Sequence, residues 1–185
     1  MAALANPHLT ILALLLVLTA AAWNDLRSHR IPNIITTMGI VLGLCLQTWA
    51  GGMAGLATSL GGLAVGLLTL LPLYALFSMG AGDVKLMAAV GAFLNPLDAL
   101  HAALLSIVAG GAIGFFILLG KNGFPDFLSR WGLMARTLAT TGKVAYVPPR
   151  PGEAAATRLP YALAIALATV ALLAGLSPFR PLFGT

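Results

Sequence analysis

Two aspartates stand out in a chain that contains few acidic groups. Its 185 residues include five Asp and Glu against ten Lys and Arg, and Asp25 and Asp83 each lie at the end of an apolar run. Two carboxylates brought close together do not both ionise easily and tend to share one proton. The ionised member of such a pair can act as a base toward water, while the protonated member donates to the carbonyl oxygen under attack. The chemistry available to this pair is therefore hydrolysis of a peptide bond, which requires neither a metal nor a nucleophilic side chain.

Each aspartate also has a purely structural explanation. Asp83 could be the N-cap of an apolar helix that begins at Val84. Asp25 could be a juxtamembrane acid that pairs with Arg27 or Arg30. The remaining acids fit a helix start or a solvated loop and are interpreted as structural: Asp98, Asp126 and Glu153.

Composition indicates an integral membrane protein. Hydrophobic residues make up 59% of the chain and charged residues 8%, whereas soluble domains average roughly 25% charged residues. The basic residues are scattered between apolar runs without a dense stripe of interleaved aromatics, which argues against nucleic-acid binding. Cys45 is the only cysteine and the three histidines are dispersed, so we expect no disulfide, no metal site and no cofactor.

Six apolar runs separated by Gly, Pro, Asn or charged residues predict an all-α polytopic bundle of about six transmembrane helices. The fourth run is short, because eleven residues cover only about 16 Å of a hydrocarbon core near 30 Å. It is expected to be a half-span or to lie beside a water-filled cavity. The first run could alternatively be a secretory signal, but no Lys or Arg precedes it. The predicted spans are residues 5–23, 34–50, 54–78, 84–94, 97–119 and 159–176.

The basic residues predict the orientation of this bundle. With six spans, all the Lys and Arg residues except Arg180 lie on one side of the membrane. The positive-inside rule makes that side cytoplasmic. Both chain ends then lie outside, and Asp25 and Asp83 converge at the cytoplasmic face. The nine residues on that face are Arg27, Arg30, Lys85, Lys121, Arg130, Arg136, Lys143, Arg150 and Arg158.

Residues 1–185 are interpreted as a single membrane-embedded domain with a basic loop at about 120–158. Within the loop, apolar residues recur at roughly helical spacing, which predicts an interfacial helix. Gly132 and two threonines weaken that helix, so a mostly irregular connector is the alternative. The basic loop is expected to bind anionic lipid head groups, and "VPPRPGE" is expected to be an extended spacer. The apolar residues are Phe124, Phe127, Leu128, Trp131, Met134 and Leu138.

Two stretches resemble the signature regions of type IV prepilin peptidases, a family of GxGD membrane aspartyl proteases: "NDLRSHRIPN" (24–33) and "GAGDVKLMAAVGAFL" (80–94). The resemblance implies that Asp25 and Asp83 are the catalytic pair. A third stretch, "RLPYALAIALA" (158–168), resembles the closing helix of the short members that serve Tad-type (Flp) pili. The other residues at matching motif positions are the glycines Gly80 and Gly82, which let a helix or substrate approach Asp83 closely, and the supporting residues Lys85, Arg30, Pro32 and Asn33.

The resemblance implies a membrane aspartyl endopeptidase, a hydrolase of the bacterial inner (cytoplasmic) membrane. It would remove the short basic leader from type IV (Flp/Tad-type) prepilins or pseudopilins at the cytoplasmic face. The implied partners are the precursor, membrane lipids and pilus-assembly proteins, with no nucleic acid. Bifunctional members carry an additional cytoplasmic region, often with paired cysteines, for N-methylation. Because the first signature region begins at residue 24 and Cys45 stands alone, no N-methyltransferase activity is expected.

Other classes of membrane protein could use the same two acids. In an ion- or proton-coupled carrier, Asp25 and Asp83 would bind the coupling ion, but such acids lie near the midplane at a repeat interface and no repeat is evident. A non-catalytic membrane subunit would tolerate Asp-to-Asn changes at both positions. Presenilin-like intramembrane proteases are a further alternative, although no Tyr-Asp pair in mid-span matches their first acid.

Overall fold

The computed structural model describes residues 7–75, 79–121, 123–142 and 160–175. Within these ranges the regular structure is entirely helical, which confirms the predicted all-α class. The six helices are α1 (Pro7–Ser28), α2 (Asn33–Ala75), α3 (Ala81–Phe93), α4 (Pro96–Gly120), α5 (Phe124–Thr141) and α6 (Tyr161–Leu173).

Three of these helices are long and apolar enough to cross a membrane: residues His8–Ser28 of α1, the whole of α2, and α4. Helix α6 is also apolar but has only 13 residues. Large hydrophobic side chains are exposed along α1, α2 and α4, as expected of helices that face lipid. The number of spans and the sides of the two termini stay predictions.

Helix α2 is broken at Gly52. This residue has φ 59° and ψ −139°, a conformation that glycine adopts without the steric cost of a Cβ. A Cβ placed on Gly55 would overlap the carbonyl oxygen of Gln47, so the two parts of α2 lie side by side just beyond the break. These parts correspond to the separately predicted spans 34–50 and 54–78, of which residues 76–78 lie outside the described residues.

Helix α3 packs against both parts of α2. A Cβ on Gly43 would lie 2.9 Å from the backbone of Ala92, and a Cβ on Gly62 would overlap the carbonyl oxygen of Gly91. Two points 19 positions apart in α2 therefore contact adjacent residues of α3, which is possible only because the chain doubles back at Gly52. The missing side chains allow this close backbone approach.

Polar side chains of α2 fix the end of α3. The Gln47 Nε2 atom donates to the Phe93 carbonyl at 2.6 Å, and the Ser59 hydroxyl donates to the Ala92 carbonyl at 2.5 Å. The last four carbonyls of a helix lack intrahelical partners, so these bonds satisfy groups that would otherwise be buried and unpaired. Residue 84 and residues 86–93 are all buried, as expected for a helix that is apolar on every side.

Helices α1 and α6 complete the core around α3. Leu14, Leu18 and Ala21 of α1 and Ile165 of α6 belong to the same buried apolar cluster as the side chains of α3. At Gly39 of α2, an added Cβ would lie 3.0 Å from Val17 and 3.1 Å from Ala89, so α1, α2 and α3 meet there.

The contacts divide the chain into two compact units, residues 1–110 with 160–185 and residues 111–159. In the second unit, the Phe115 and Phe124 rings pack edge to face with centroids 6.4 Å apart. The predicted helix in the basic loop is confirmed as α5, despite Gly132. Its interfacial position stays a prediction, as does the interpretation of the chain as one domain. Residues 143–159, which include "VPPRPGE", lie outside the described residues.

Candidate active site

Asp25 lies inside the last two turns of α1. The predicted end of this helix at residue 23 is wrong, because α1 continues to Ser28. Asp25 therefore falls on the same helix face as the buried Leu14, Leu18 and Ala21, and its side chain is only 5% exposed. Its carboxylate faces the core.

The basic neighbours of Asp25 point away from the core or lie beyond the end of the helix. Arg27 and Arg30 are both exposed, and the Arg27 guanidinium lies 4.2 Å from the centroid of the Trp23 ring. A cation over an aromatic face is an attractive arrangement in itself. The simple explanation of Asp25 as a surface partner of these arginines does not fit its burial.

The first turn of α6 supplies the hydrogen bond that Asp25 needs. The backbone N–H of Ala162 donates to Asp25 Oδ2 at 3.0 Å, and this bond is buried. The first N–H groups of a helix have no partner within the helix and carry the positive end of its dipole. The buried Asp25 carboxylate therefore has a hydrogen-bond donor at the start of α6.

Asp83 lies in the first turn of α3, so the structural alternative that it is the N-cap of a helix beginning at Val84 does not hold. The helix begins at Ala81 and Gly80 is the N-cap, since its extended backbone (φ −78°, ψ 148°) leads into the first turn. Asp83 nevertheless caps the helix from within. The Gly80 N–H donates to Asp83 Oδ2 at 3.2 Å, and the Asp83 N–H donates to the Gly80 carbonyl at 3.2 Å.

The two carboxylates act on each other electrostatically. Burial raises the pKa of Asp83 to about 6, the negative charge of Asp25 acts in the same direction, and the hydrogen bond from the Gly80 N–H acts against both. A like charge nearby disfavours ionisation, as expected when two acids share one site. The structure thus brings together the two aspartates that the sequence places on separate helices.

The remaining motif residues join the two signature regions. The Lys85 Nζ atom donates to Asn33 Oδ1 at 3.0 Å, which ties the first turn of α2 to the second turn of α3. A Cβ on Gly82 would lie 3.3 Å from the Cβ of Ile31, so Gly82 gives the chain before α2 room to approach α3. These contacts fix the position of α3 where it carries Asp83.

Pro32 and Arg30 lie beside this contact. The carbonyl of Pro32 accepts a hydrogen bond from the Ile35 N–H at 3.1 Å, within the first turn of α2. The carbonyl of Arg30 accepts from the Ser28 hydroxyl at 3.3 Å, and its side chain is exposed. Pro32 therefore belongs to the start of α2, and the Arg30 side chain stays outside the buried part of the site.

The chain matches the family model described as type IV leader peptidase over residues 12–115, more than half of its length. The protein belongs to the type IV leader peptidase family. Residues 12–115 include both aspartates and every motif residue discussed above.

Among curated proteins, the chain is similar to several that are named prepilin leader peptidase/N-methyltransferase. It is 34% identical over 122 residues to the one from Aeromonas hydrophila, a match that covers 61% of this chain and 42% of that protein. It is 33% identical over 97 residues to the one from Burkholderia pseudomallei strain 1026b, which covers 49% of this chain and 31% of that protein. The chain thus matches less than half the length of these relatives. No solved structure matches it significantly.

Two further residues of this site are not singled out by any pattern in the sequence. Ala162 contributes through its backbone, and Tyr161 donates from its hydroxyl to the Ser106 carbonyl at 3.0 Å. Both lie within the stretch that resembles a closing helix, but every residue except proline has a backbone N–H. Nothing in the side-chain pattern therefore indicates which one bonds Asp25.

Metal ligands do not gather at the site. In the part of the chain that the structure describes, no group of three or more His, Cys, Asp or Glu side chains is placed to hold a metal ion. Cys45 is exposed on α2 and His101 is buried in α4. The site consists of two carboxylates and hydrogen-bond donors, and the metal-free mechanism stays a prediction.

The raised pKa of Asp83 predicts how stability depends on pH. The folded protein holds the Asp83 proton up to about pH 6, whereas the unfolded chain loses it near pH 4. The free energy of unfolding should therefore fall as pH rises from about 4 to about 6, by about 2 kcal/mol. Asp83→Asn removes this dependence. The melting temperature of the variant in detergent, relative to that of the wild type, should therefore increase as pH rises across this interval. A difference between the two proteins that is independent of pH would contradict the raised pKa of Asp83.

Proposed function

We propose that the chain is an aspartyl endopeptidase that removes the short basic leader from type IV (Flp/Tad-type) prepilins or pseudopilins. The observation that carries this proposal is the electrostatic coupling of Asp25 and Asp83, which lie on two different helices. Membership in the type IV leader peptidase family supports the reaction class. The pilus type rests on the "RLPYALAIALA" stretch, and the cytoplasmic location of the site in the inner membrane rests on the distribution of basic residues.

The surroundings of the two acids suggest different roles. Asp25 accepts a hydrogen bond from the start of α6, where a helix favours negative charge, so it acts as the base. Asp83 holds its proton more firmly than an ordinary aspartate because it is half-buried near a like charge, so it acts as the acid. This division follows the general rule that the environment of each carboxyl sets its role in a pair.

The proposed reaction proceeds in two steps. Asp25 takes a proton from water as the water oxygen bonds to the peptide carbonyl carbon, and Asp83 gives its proton to the carbonyl oxygen. The tetrahedral diol then collapses. One of its hydroxyl groups returns a proton to Asp83, the carbon–nitrogen bond breaks, and the leaving amine takes the proton held by Asp25. Both aspartates end in the protonation states in which they began.

Helix α5 is proposed to contact lipid rather than the basic leader. Leu128, Trp131 and Leu138 are 60%, 50% and 47% exposed and recur at helical spacing along one side of α5. Arg130 and Arg136 lie beside this stripe in sequence. An apolar stripe bordered by basic residues fits a helix at the surface of an anionic bilayer, whereas a basic leader would be repelled.

The test is cleavage of candidate prepilin precursors by the purified protein in detergent. Asp25→Asn and Asp83→Asn should each lower the rate of leader removal by about 10²-fold or more, since each change removes one proton-transfer step. Asp98→Asn is the matched control. Asp98 lies in the first turn of α4, where its carboxylate accepts a hydrogen bond from the Asn95 side chain at 2.7 Å. The Asp98→Asn variant should retain nearly full activity. Wild-type turnover by either variant of the pair, or an equal loss with Asp98→Asn, would contradict the mechanism.

The chain by itself is proposed to lack N-methyltransferase activity, because Cys45 is its only cysteine. Mature pilin made by the purified protein with S-adenosylmethionine should therefore have an unmodified N-terminus in the mass spectrum. A methyl group on the new N-terminus would show that this chain carries both activities.

A further inference from the structure

We infer that Tyr161 is a positioning residue for Asp25: it fixes the first turn of α6 so that the Ala162 N–H stays on the Asp25 carboxylate. This inference rests on the proposed function, because there Asp25 is the base that activates water. Tyr161 acts on Asp25 through the backbone of the next residue, Ala162.

The Tyr161 hydroxyl is anchored on α4. It donates to the carbonyl of Ser106 at 3.0 Å, and Ser106 is fully buried. A backbone carbonyl has two lone pairs, so the Ser106 carbonyl can accept this bond in addition to one within its helix. A hydroxyl that finds a partner in the interior avoids the cost of an unpaired buried group.

The Tyr161 ring is anchored one turn further along the same helix. A Cβ on Gly110 would overlap Cε2 of the Tyr161 ring and lie 3.0 Å from Cδ2 and Cζ. Gly110 follows Ser106 by four positions, so both residues lie on one face of α4. The side chain is thus held at its hydroxyl and along its ring, and Gly110 leaves the space that the ring fills.

The link from this anchor to Asp25 is short and rigid. Ala162 directly follows Tyr161, and its N–H donates to Asp25 Oδ2 at 3.0 Å. Pro160 precedes Tyr161 as the N-cap with φ −73°, an angle that its ring restricts. The Leu163 N–H donates to the Pro160 carbonyl at 3.1 Å, which closes the first turn. A displaced Tyr161 ring must therefore shift the Ala162 N–H.

This arrangement predicts which kinetic constant depends on Tyr161. Oδ2 of Asp25 is held by Ala162, and this bond sets the direction of the carboxylate that receives the proton from water. A displacement of about 1 Å in a catalytic group can cost about 10²-fold in rate. Because Tyr161 acts on the base and not on the precursor, the loss should appear in kcat and leave KM unchanged.

The position of α6 can be measured without any substrate. In a Cys45→Ser, Asp25→Cys background, we would measure the rate at which a small thiol reagent modifies residue 25, which is buried in the native protein. Gly110→Ala forces the Tyr161 ring aside and should raise this rate about fivefold or more, as expected for a packing defect of ordinary size. Gly111→Ala is the matched control, since a Cβ there has nothing within 4 Å. Equal rates in the two variants would overturn the inference.

Tyr161→Phe provides a milder change, because it removes the hydroxyl and keeps the ring. In the otherwise native chain it should lower kcat less than Gly110→Ala does, with KM within about twofold of the wild type, while Gly111→Ala keeps the wild-type kcat. A loss confined to KM, or wild-type kcat in both Tyr161→Phe and Gly110→Ala, would overturn the inference. A wild-type protein that cleaves no precursor would contradict the proposed function instead, and the thiol measurement would still decide the role of Tyr161.

Discussion

The hydrogen bond between the Ala162 N–H and the Asp25 carboxylate is the constraint on which the site depends. An ionised carboxylate that is buried without a partner costs several kcal/mol or loses its charge. The last turns of α1 must therefore face the first turn of α6, although the two residues are 137 positions apart in sequence. Once α6 is in this place, its apolar side chains join those of α1 and α3 in one core.

The second acid is positioned by backbone packing. Helix α3 is held between the two parts of α2 at glycines, of which Gly62 and Gly91 allow the closest approach, and its far end is bonded by Gln47 and Ser59. A short helix that is fixed along its length presents its first turn rigidly. Asp83 thus reaches the neighbourhood of Asp25 from a buried helix rather than from a loop, and a rigid support suits a site that requires precise geometry.

The sequence predicts the parts of this arrangement that depend on residue type. Apolar runs and punctuating residues give the helices, and the rarity of acids singles out Asp25 and Asp83. The sequence predicts too early an end for α1 because the last turns of this helix are polar. These turns are nevertheless helical, since the face that carries Asp25 is buried. The role of Asp83 in its helix is misjudged because Gly80 takes the N-cap position, a choice that depends on the backbone path between α2 and α3.

Contacts between distant segments could not be predicted in the same way. A backbone donor such as the Ala162 N–H has no signature, and the bond from Lys85 to Asn33 joins two motif residues whose separate presence does not reveal that they touch. The fit of the Tyr161 ring over Gly110 depends on how α6 and the first part of α4 pack. Residue type therefore identifies the candidates for chemistry, and tertiary packing decides which groups support them.

Thiol cross-linking tests most directly whether the two aspartates form one site. With Cys45 replaced by Ser, single cysteines at 25 and 83 are treated with a linker a few ångströms longer than the roughly 4.4–6.8 Å of Cα separations that disulfides span. The account predicts efficient intramolecular linking in folded protein. A pair at 25 and 98 should not link, because Asp98 follows the far end of α3, whose 13 residues extend for about 20 Å. Equal linking of the two pairs, or none between 25 and 83, would contradict a shared site.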